Sequence, residues 1–380
     1  MMTRLNCSKY LTFITAAILV FSCKEKYTPP AVAAANTDFL VVEGYINVGN
    51  DTTTITLSHT RSINDSTPVL AEPGATVVVQ NDAGDNYTLT DQGDGRYQLP
   101  AIPGNPSAKY RLAITTPDGK EFVSDFVENK QSPAIDSVSW EQLDDGVHIY
   151  VNTHDDAAKT VYYKWDYIET YEYNAPFESF YQEVNGSIIP RPYNELIYTC
   201  WRTIPSTGIF TLSTQKLARD DVYKNPLILI PASTQKLGVL YSVIVKQYAL
   251  TEEGYNYWLT LSKNTENLGT LFDPQPSQVQ GNIHCINDPS ATALGFITAS
   301  TLQQQRIFIS KHQLNDWQYP PDALSICDTV HLNDENTQHY IQAGYLPVNY
   351  YEPFMFYAAL PDCIDCRRQG GTTIKPPFWP

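Results

Sequence analysis

Two near-repeats, Ser213-Thr-Gln-Lys216 and Ser233-Thr-Gln-Lys236, carry the one nucleophile spacing in the chain. On a helix, Ser-x-x-Lys sets the amine one turn from the hydroxyl, where it can take the serine proton during acyl transfer. Both copies lie beside runs that read as strands, and the Ser-Asp-Asn and Lys-Thr-Gly segments that complete such a site do not occur. They read as a chance repetition of Ser-Thr-Gln-Lys-Leu. No Gly-x-Ser-x-Gly elbow, His-Glu-x-x-His helix or phosphate loop is present, so no residue is assigned a catalytic role.

Cys363-Ile-Asp-Cys366 admits three chemistries. A dithiol redox pair needs a βαβ setting, and the surrounding tail is β-rich. A zinc site needs a second pair of ligands, and His284-Cys285 alone offers one. Structural disulfides need only partners, for which Cys200 and Cys327 are candidates. Of seven cysteines, Cys7 and Cys23 fall in the N-terminal segment, which leaves an odd number beyond it, so one thiol is free or bonded elsewhere. Disulfides are the reading adopted, with the pairing open and no metal or cofactor expected. Asp91-Gln-Gly-Asp-Gly95 is rich enough in oxygen to suggest calcium, but its spacing is not that of an EF-hand, and it reads as a turn.

One further cysteine has a chemistry of its own. Arg4 and Lys9 precede an apolar run from Leu11 to Val20, too short to cross a hydrocarbon core of ~30 Å at ~1.5 Å per residue. Val20-Phe21-Ser22-Cys23 closes it and resembles a bacterial lipobox, in which the cysteine thiol takes a diacylglycerol. Residues 1–22 are therefore expected to be a signal peptide and Cys23 the lipidated residue. Two or three acyl chains, at ~0.8 kcal/mol per buried CH₂, anchor firmly where one does not. Residues 23–37, with Pro29-Pro30 and a run of alanines, read as a flexible tether. Export also places the cysteines where disulfides persist.

The formal charge of −16 repels phosphate backbones and anionic headgroups, which argues against a nucleic-acid partner. The 26 tyrosines suit both strands and recognition surfaces.

The elements that must position these residues are mainly strands. Between 38 and 131, short alternating runs are separated by Asn81-Asp82, Gly84-Asp85, Asp94-Gly95 and Pro117-Asp118-Gly119. This predicts a β-sandwich, and the order of its motifs resembles transthyretin-like or carboxypeptidase-regulatory sandwiches. Ser132-Pro133 marks a boundary, and 132–380 is expected to form a larger β-rich domain. Its strands include Val161–Ile168 and Leu240–Tyr248, with a long aromatic insertion at about 170–200 containing an Asn185-Gly186 turn. The spacing of Tyr255, Trp258, Leu259 and Ser262 after Thr251 predicts its one helix. A terminal hairpin, Ala293–Ser300 with Arg306–Ser310, then leads into an irregular tail.

Three stretches together resemble the outer-membrane lipoproteins grouped as domain of unknown function 4249. They are Tyr241–Tyr248 with its helix, Leu271–Ile283 leading to Leu294–Ser300, and the ending Cys363-Ile-Asp-Cys-Arg-Arg-Gln-Gly-Gly-Thr-Thr-Ile-Lys-Pro-Pro-Phe-Trp379. The resemblance, with Leu40-Val-Val-Glu-Gly44, spans the chain beyond the tether. It implies an outer-membrane location and a TonB-dependent receptor as neighbour, and it implies no reaction. Cys285 is the cysteine least typical of that family and the candidate for the free thiol. The expected role is a non-enzymatic accessory or binding component in nutrient uptake. A surface adhesion or matrix role is the second reading, and a hydrolase working from the insertion is a remote third.

Overall fold

The computed structural model describes residues 38–61, 70–266, 279–318, 327–351 and 355–380. Cys23, the signal peptide, the tether and most of Leu271–Ile283 lie outside them. The fold is mainly β, as the alternation predicts.

The first body is one sheet that curls round its own core. Its path runs from Ile283–Cys285 through Glu121–Ser124, Lys109–Thr115, Val127–Lys130 and Ala299–Ser300. It continues through Leu40–Asn47, Thr53–His59 and Arg96–Leu99 to Thr90–Asp91. Period-two patterning fixes the faces: Tyr110, Leu112 and Ile114 point inward along Lys109–Thr115, and Ile55 and Leu57 do so along Thr53–His59.

The second body places a three-stranded sheet (Ile135–Leu143, Gly146–His154, Asp221–Pro231) and a five-stranded one around a shared core. The long strand Tyr162–Asn174 is central to the latter. It pairs with Leu240–Ala249 on one side and with both Phe210–Ser213 and Thr199–Pro205 on the other; Leu302–Ser310 lies beyond Leu240–Ala249. Trp165, Tyr163 and Tyr173 are fully buried on its inner face, and their polar tips are satisfied. Trp165 Nε1 donates to Gln247 Oε1 at 2.9 Å, and Tyr163 Oη donates to Asp220 Oδ2 at 2.6 Å. Much of the tyrosine excess is thus core rather than recognition surface.

Five expectations need correction. Ala293–Ser300 makes no hairpin with Arg306–Ser310. Ala293–Leu294 and Ala299–Ser300 instead run parallel to Leu40–Asn47, while Leu302–Ser310 edges the second body. The span 283–300, read as part of the larger domain, returns to the first body: Ile283, Ala293, Ile297 and Ala299 lie in its core. Its strands of two and three residues are too short to show a period. The insertion is shorter than expected, because strand pairing holds through Asn174 and resumes at Thr199.

The tail is not irregular either. Val330–Leu332, Met355–Ala359 and Leu346–Tyr351 form a small sheet, and Thr337–Gln342 is a second helix where only one was expected. The expected helix spans Glu252–Glu266, with Thr251 Oγ1 accepting from Gly254 N at 3.2 Å.

Candidate partner-binding surface

The four cysteines given as disulfide candidates form two bridges, Cys200–Cys366 and Cys327–Cys363, and Cys285 is free. The Cys-x-x-Cys pair therefore divides. One sulfur ties the tail to the strand Thr199–Pro205, and the other ties it to the start of the small sheet. Tyr173 Oη donates to Cys366 O at 2.8 Å, and Trp201 and Thr372 exchange backbone hydrogen bonds of 2.8 and 2.9 Å. Farther along, Trp379 Nε1 donates to Glu172 Oε2 at 2.8 Å, and the Arg306 guanidinium lies 3.6 Å over the Phe378 ring. The characteristic ending thus wraps the Thr199–Pro205 edge of the five-stranded sheet, meeting Tyr173 on the inner face and Glu172 and Arg306 on the other.

What this clamp holds out is a hairpin. Tyr181–Val184 pairs with Ser187–Pro190, with Asn185 (φ 52°) and Gly186 (φ 85°) at the turn. Two consecutive left-handed residues make the two-residue connection whose twist matches the strands, which is why Asn-Gly occurs there. The base is fixed by Phe177 N to Cys363 O (2.9 Å), Phe180 N to Val348 O (3.0 Å) and Ser179 Oγ to Pro347 O (2.7 Å). The pairing Gln182↔Ile189 puts Phe180, Gln182, Val184, Ile189 and Arg191 on one face. On the other face, Tyr181 meets Phe356 edge-on, ring centres 5.0 Å apart. On the free face Phe180, Val184 and Ile189 are 41 %, 40 % and 39 % exposed, and Tyr193 just beyond is 90 % exposed. Apolar side chains on a pinned, protruding element suit contact with another macromolecule.

Two clefts are chemically different. One, of about 400 Å³, opens where the described chain begins. There His59 Nδ1 faces Asp38 Oδ1 at 2.6 Å and its Nε2 faces Glu72 Oε2 at 2.7 Å, so both contacts are hydrogen bonds only in the imidazolium. Asp118 beside it is held down to about 2 by its hydrogen bonds from Lys120 and Thr116. The other, of about 740 Å³, lies between the two bodies, with Phe126, Tyr162, Lys109, Lys159 and Glu252 among its walls. In the first, the hydroxyls of Thr116 and Ser290 donate to Asp118 two residues on and Asp288 two residues back, within their own turns.

The residues weighed from sequence for reactions stay apart. Lys236 sits in a 3₁₀ turn and pairs with buried Glu169 at 2.7 Å, where Tyr241 Oη also donates at 2.9 Å. Burial and that carboxylate push the Tyr241 hydroxyl well above its ordinary pKa. Ser233 is in a left-handed turn, and Ser213 ends a strand with its Oγ accepting from Gln215 N at 3.3 Å. Neither lysine stands one α-helical turn from its serine. Asp91 accepts from Gly93 N at 2.7 Å and from Gly74 N at 3.0 Å, which makes the loop a turn. Among the described residues, no three His, Cys, Asp or Glu side chains are grouped to hold a metal. The sequence marked the hairpin through Asn185-Gly186, but it did not mark which face would be left open. Alternation exposes either face, and only the packing of Tyr181 selects one.

Among solved structures, the chain is similar to a Salmonella alpha-2-macroglobulin variant (11 % identity, 58 % of this chain and 14 % of that one, TM-score 0.19). It is also similar to the Yersinia pseudotuberculosis adhesin InvE (12 %, 57 % and 56 %, TM-score 0.15). A cycloalternan-degrading enzyme from Trueperella pyogenes is a third (9 %, 70 % and 32 %, TM-score 0.17). The chain thus spans only part of the length of each of these, and the overlaps carry no argument about function. Comparison with curated proteins gives no match. A family model does match, over residues 24–306, well beyond half of the chain, and the protein belongs to the domain of unknown function family DUF4249.

Proposed function

We propose that this protein is a lipid-anchored recognition module that docks on a membrane protein beside it, without a catalytic step of its own. The anchor is Cys23, and the partner is an outer-membrane receptor of the TonB-dependent class, in a nutrient-uptake assembly. One observation carries the reading: the disulfide-pinned hairpin that presents Phe180, Val184, Ile189 and Tyr193 to solvent. A rigid apolar face loses little conformational freedom on binding, so its burial goes largely into affinity. The acidic composition favours a protein partner over nucleic acid or an anionic bilayer.

The test is co-purification of the full chain from its own membranes in mild detergent. A β-barrel partner is expected with the wild type and absent with Val184→Asp/Ile189→Asp, while the variant keeps its near-UV circular dichroism. A wild-type chain that never retains a barrel overturns the receptor reading. Loss of cell attachment with uptake intact on deletion would favour the adhesion role instead.

A further inference from the structure

One edge of the five-stranded sheet is left unpaired along Leu302–Ser310. In an antiparallel ladder, hydrogen-bonded and open pairs alternate. Lys311 N donates to Val239 O at 3.0 Å, so the bonded pairs with Leu240–Ala249 continue as Tyr241↔Ile309, Val243↔Ile307 and Val245↔Gln305. Gln304, Arg306 and Phe308 therefore turn N–H and C=O away from that neighbour. No strand pairs with them there, and no turn or side chain among the described residues takes those groups up. Ile135–Leu143 comes near from the shared core and does not pair either.

The other long edges of the second body are guarded. Register shifts interrupt Ile135–Leu143 and Asp221–Pro231, the latter also holding Pro226, and the tail overlies Thr199–Pro205 through Trp201 and Thr372. Leu302–Ser310 is nine residues long with no proline and no shift. An unguarded edge of that length is a template for another strand.

Arg306 marks what that strand must carry. Its Nη1 donates to Ser242 Oγ at 3.0 Å and its guanidinium lies 3.6 Å over Phe378, but no carboxylate among the described residues approaches it. Nε and Nη2 bond to nothing in the described chain, and neither is buried. Loss of water alone pulls its pKa below the ordinary value, and a guanidinium keeps its charge there.

We propose that Leu302–Ser310 is completed by an extended segment of a partner protein, added as one more strand, with an acidic side chain beside Arg306 and an apolar one against Phe308 and Phe378. Main-chain bonds to Gln304, Arg306 and Phe308 supply the affinity, and the alternating side chains supply the choice of partner. A second copy of this chain is a poor occupant. The two-fold register that bonds all three residues at once sets Arg306 opposite its own mate, and each copy brings a formal charge of −16.

The test uses the full chain in detergent, panned against a displayed library of random peptides, with enriched peptides then synthesised with blocked ends. Gln304→Pro removes one outward N–H and leaves the ladder to Leu240–Ala249 intact, and thermal melting checks that it is folded. Peptides held by the wild type should lose about tenfold in affinity to this variant. N-methylation along each such peptide should abolish binding at alternate residues only, because every second N–H faces the edge. Asp or Glu should recur in these peptides, and its change to the amide should weaken binding about fivefold, a difference that Arg306→Gln should erase. No peptide sensitive to Gln304→Pro, N-methyl sensitivity without alternation, or an acid preference unchanged in Arg306→Gln would each overturn the inference. So would a wild-type chain that dimerises beside a Gln304→Pro chain that does not, since a second copy would then be the occupant. Val184→Asp/Ile189→Asp should keep the same peptides, because this edge is separate from the docking hairpin. Their loss in that variant would mean that they read the hairpin, and would overturn the edge.

Discussion

Gly371 has no room for a side chain. A Cβ there would lie 2.3 Å from Tyr173 Oη and 3.0 Å from Trp201 O. Tyr173 is fully buried and its hydroxyl is spent on Cys366 O, so it has nowhere to move. Gly371→Ala is therefore expected to cost about 2–3 kcal/mol, as overpacking with a broken hydrogen bond does. Tyr173→Phe alone should cost about 1 kcal/mol. It also removes the nearest atom that the added methyl strikes, leaving Cζ at 2.9 Å, so the double variant should lose less than the two single losses together. Denaturant unfolding of the four proteins measures the coupling, and simple additivity would mean that the clash is relieved elsewhere. The same scale shows what the sequence made legible. The cysteine set could be picked out because oxidised pairs are few and discrete. The Gly370-Gly371 dipeptide could be seen but not explained, since the need for it lies in a strand almost two hundred residues earlier.

Among the elements, the tail depends most on its covalent ties. The Cys200–Cys366 bridge spans a sequence separation of 166 and Cys327–Cys363 one of 36. Chain-entropy scaling puts the longer at about 5 kcal/mol and the shorter at about 4 kcal/mol, with the two not additive because they share a segment. Cys200→Ala/Cys366→Ala should therefore free residues 366–380 from the five-stranded sheet while the first body stays folded. Hydrogen exchange is the measurement: the amides of Trp201 and Thr372 should lose protection and that of Leu57 should keep it. Equal loss at both would show that the clamp is needed by the whole molecule. Local signals marked the hairpin and the helix in advance, because an Asn-Gly turn and a threonine cap act over four or five residues. The small tail sheet escaped notice because its strands take their order from bridges and from the hairpin base rather than from their own alternation.

The chain crosses between the two bodies more than once, and this governs how the molecule folds. After 38–130 builds most of the first sheet and 135–249 most of the second, residues 283–300 return to complete the first. Ala299–Ser300 is inserted between Leu40–Asn47 and Val127–Lys130, running parallel to both. At Ser132, Oγ donates to Thr301 O at 2.5 Å and accepts from Ala249 N at 2.9 Å. Both crossings meet at that serine. A fragment of residues 24–131 therefore lacks Ile283–Cys285, Ala293–Leu294 and Ala299–Ser300. It should show no cooperative unfolding transition, whereas the same fragment extended by a linker to residues 279–301 should. A sharp transition in the short fragment would mean that those strands add nothing to the first core.

The junction of the bodies also sets how the whole molecule responds to alkali. Tyr45 from the first body meets Tyr248 from the second edge-on, ring centres 4.5 Å apart, with Asp166, Lys164 and Trp258 around them. Burial, opposed in part by its hydrogen bond with Tyr248, pushes the Tyr45 hydroxyl up from 10.0 to about 12. Burial and Asp166 move Tyr248 the same way. A phenol whose folded pKa exceeds its unfolded one keeps its proton more tightly in the native state. Its contribution is complete below pH 10.0 and drains away as pH rises towards about 12, on the order of 2–3 kcal/mol for Tyr45. Unfolding free energy measured by denaturant should therefore be insensitive to these phenols below the unfolded value and fall steeply above it. Tyr45→Phe should be less stable at neutral pH through its lost hydrogen bond, yet flatter in that alkaline range. Parallel curves for the two proteins would show that Tyr45 ionises without parting the bodies. Convergence of the curves would place the weakest seam of the molecule at this junction, and alkali would then open the bodies there before it melts either core.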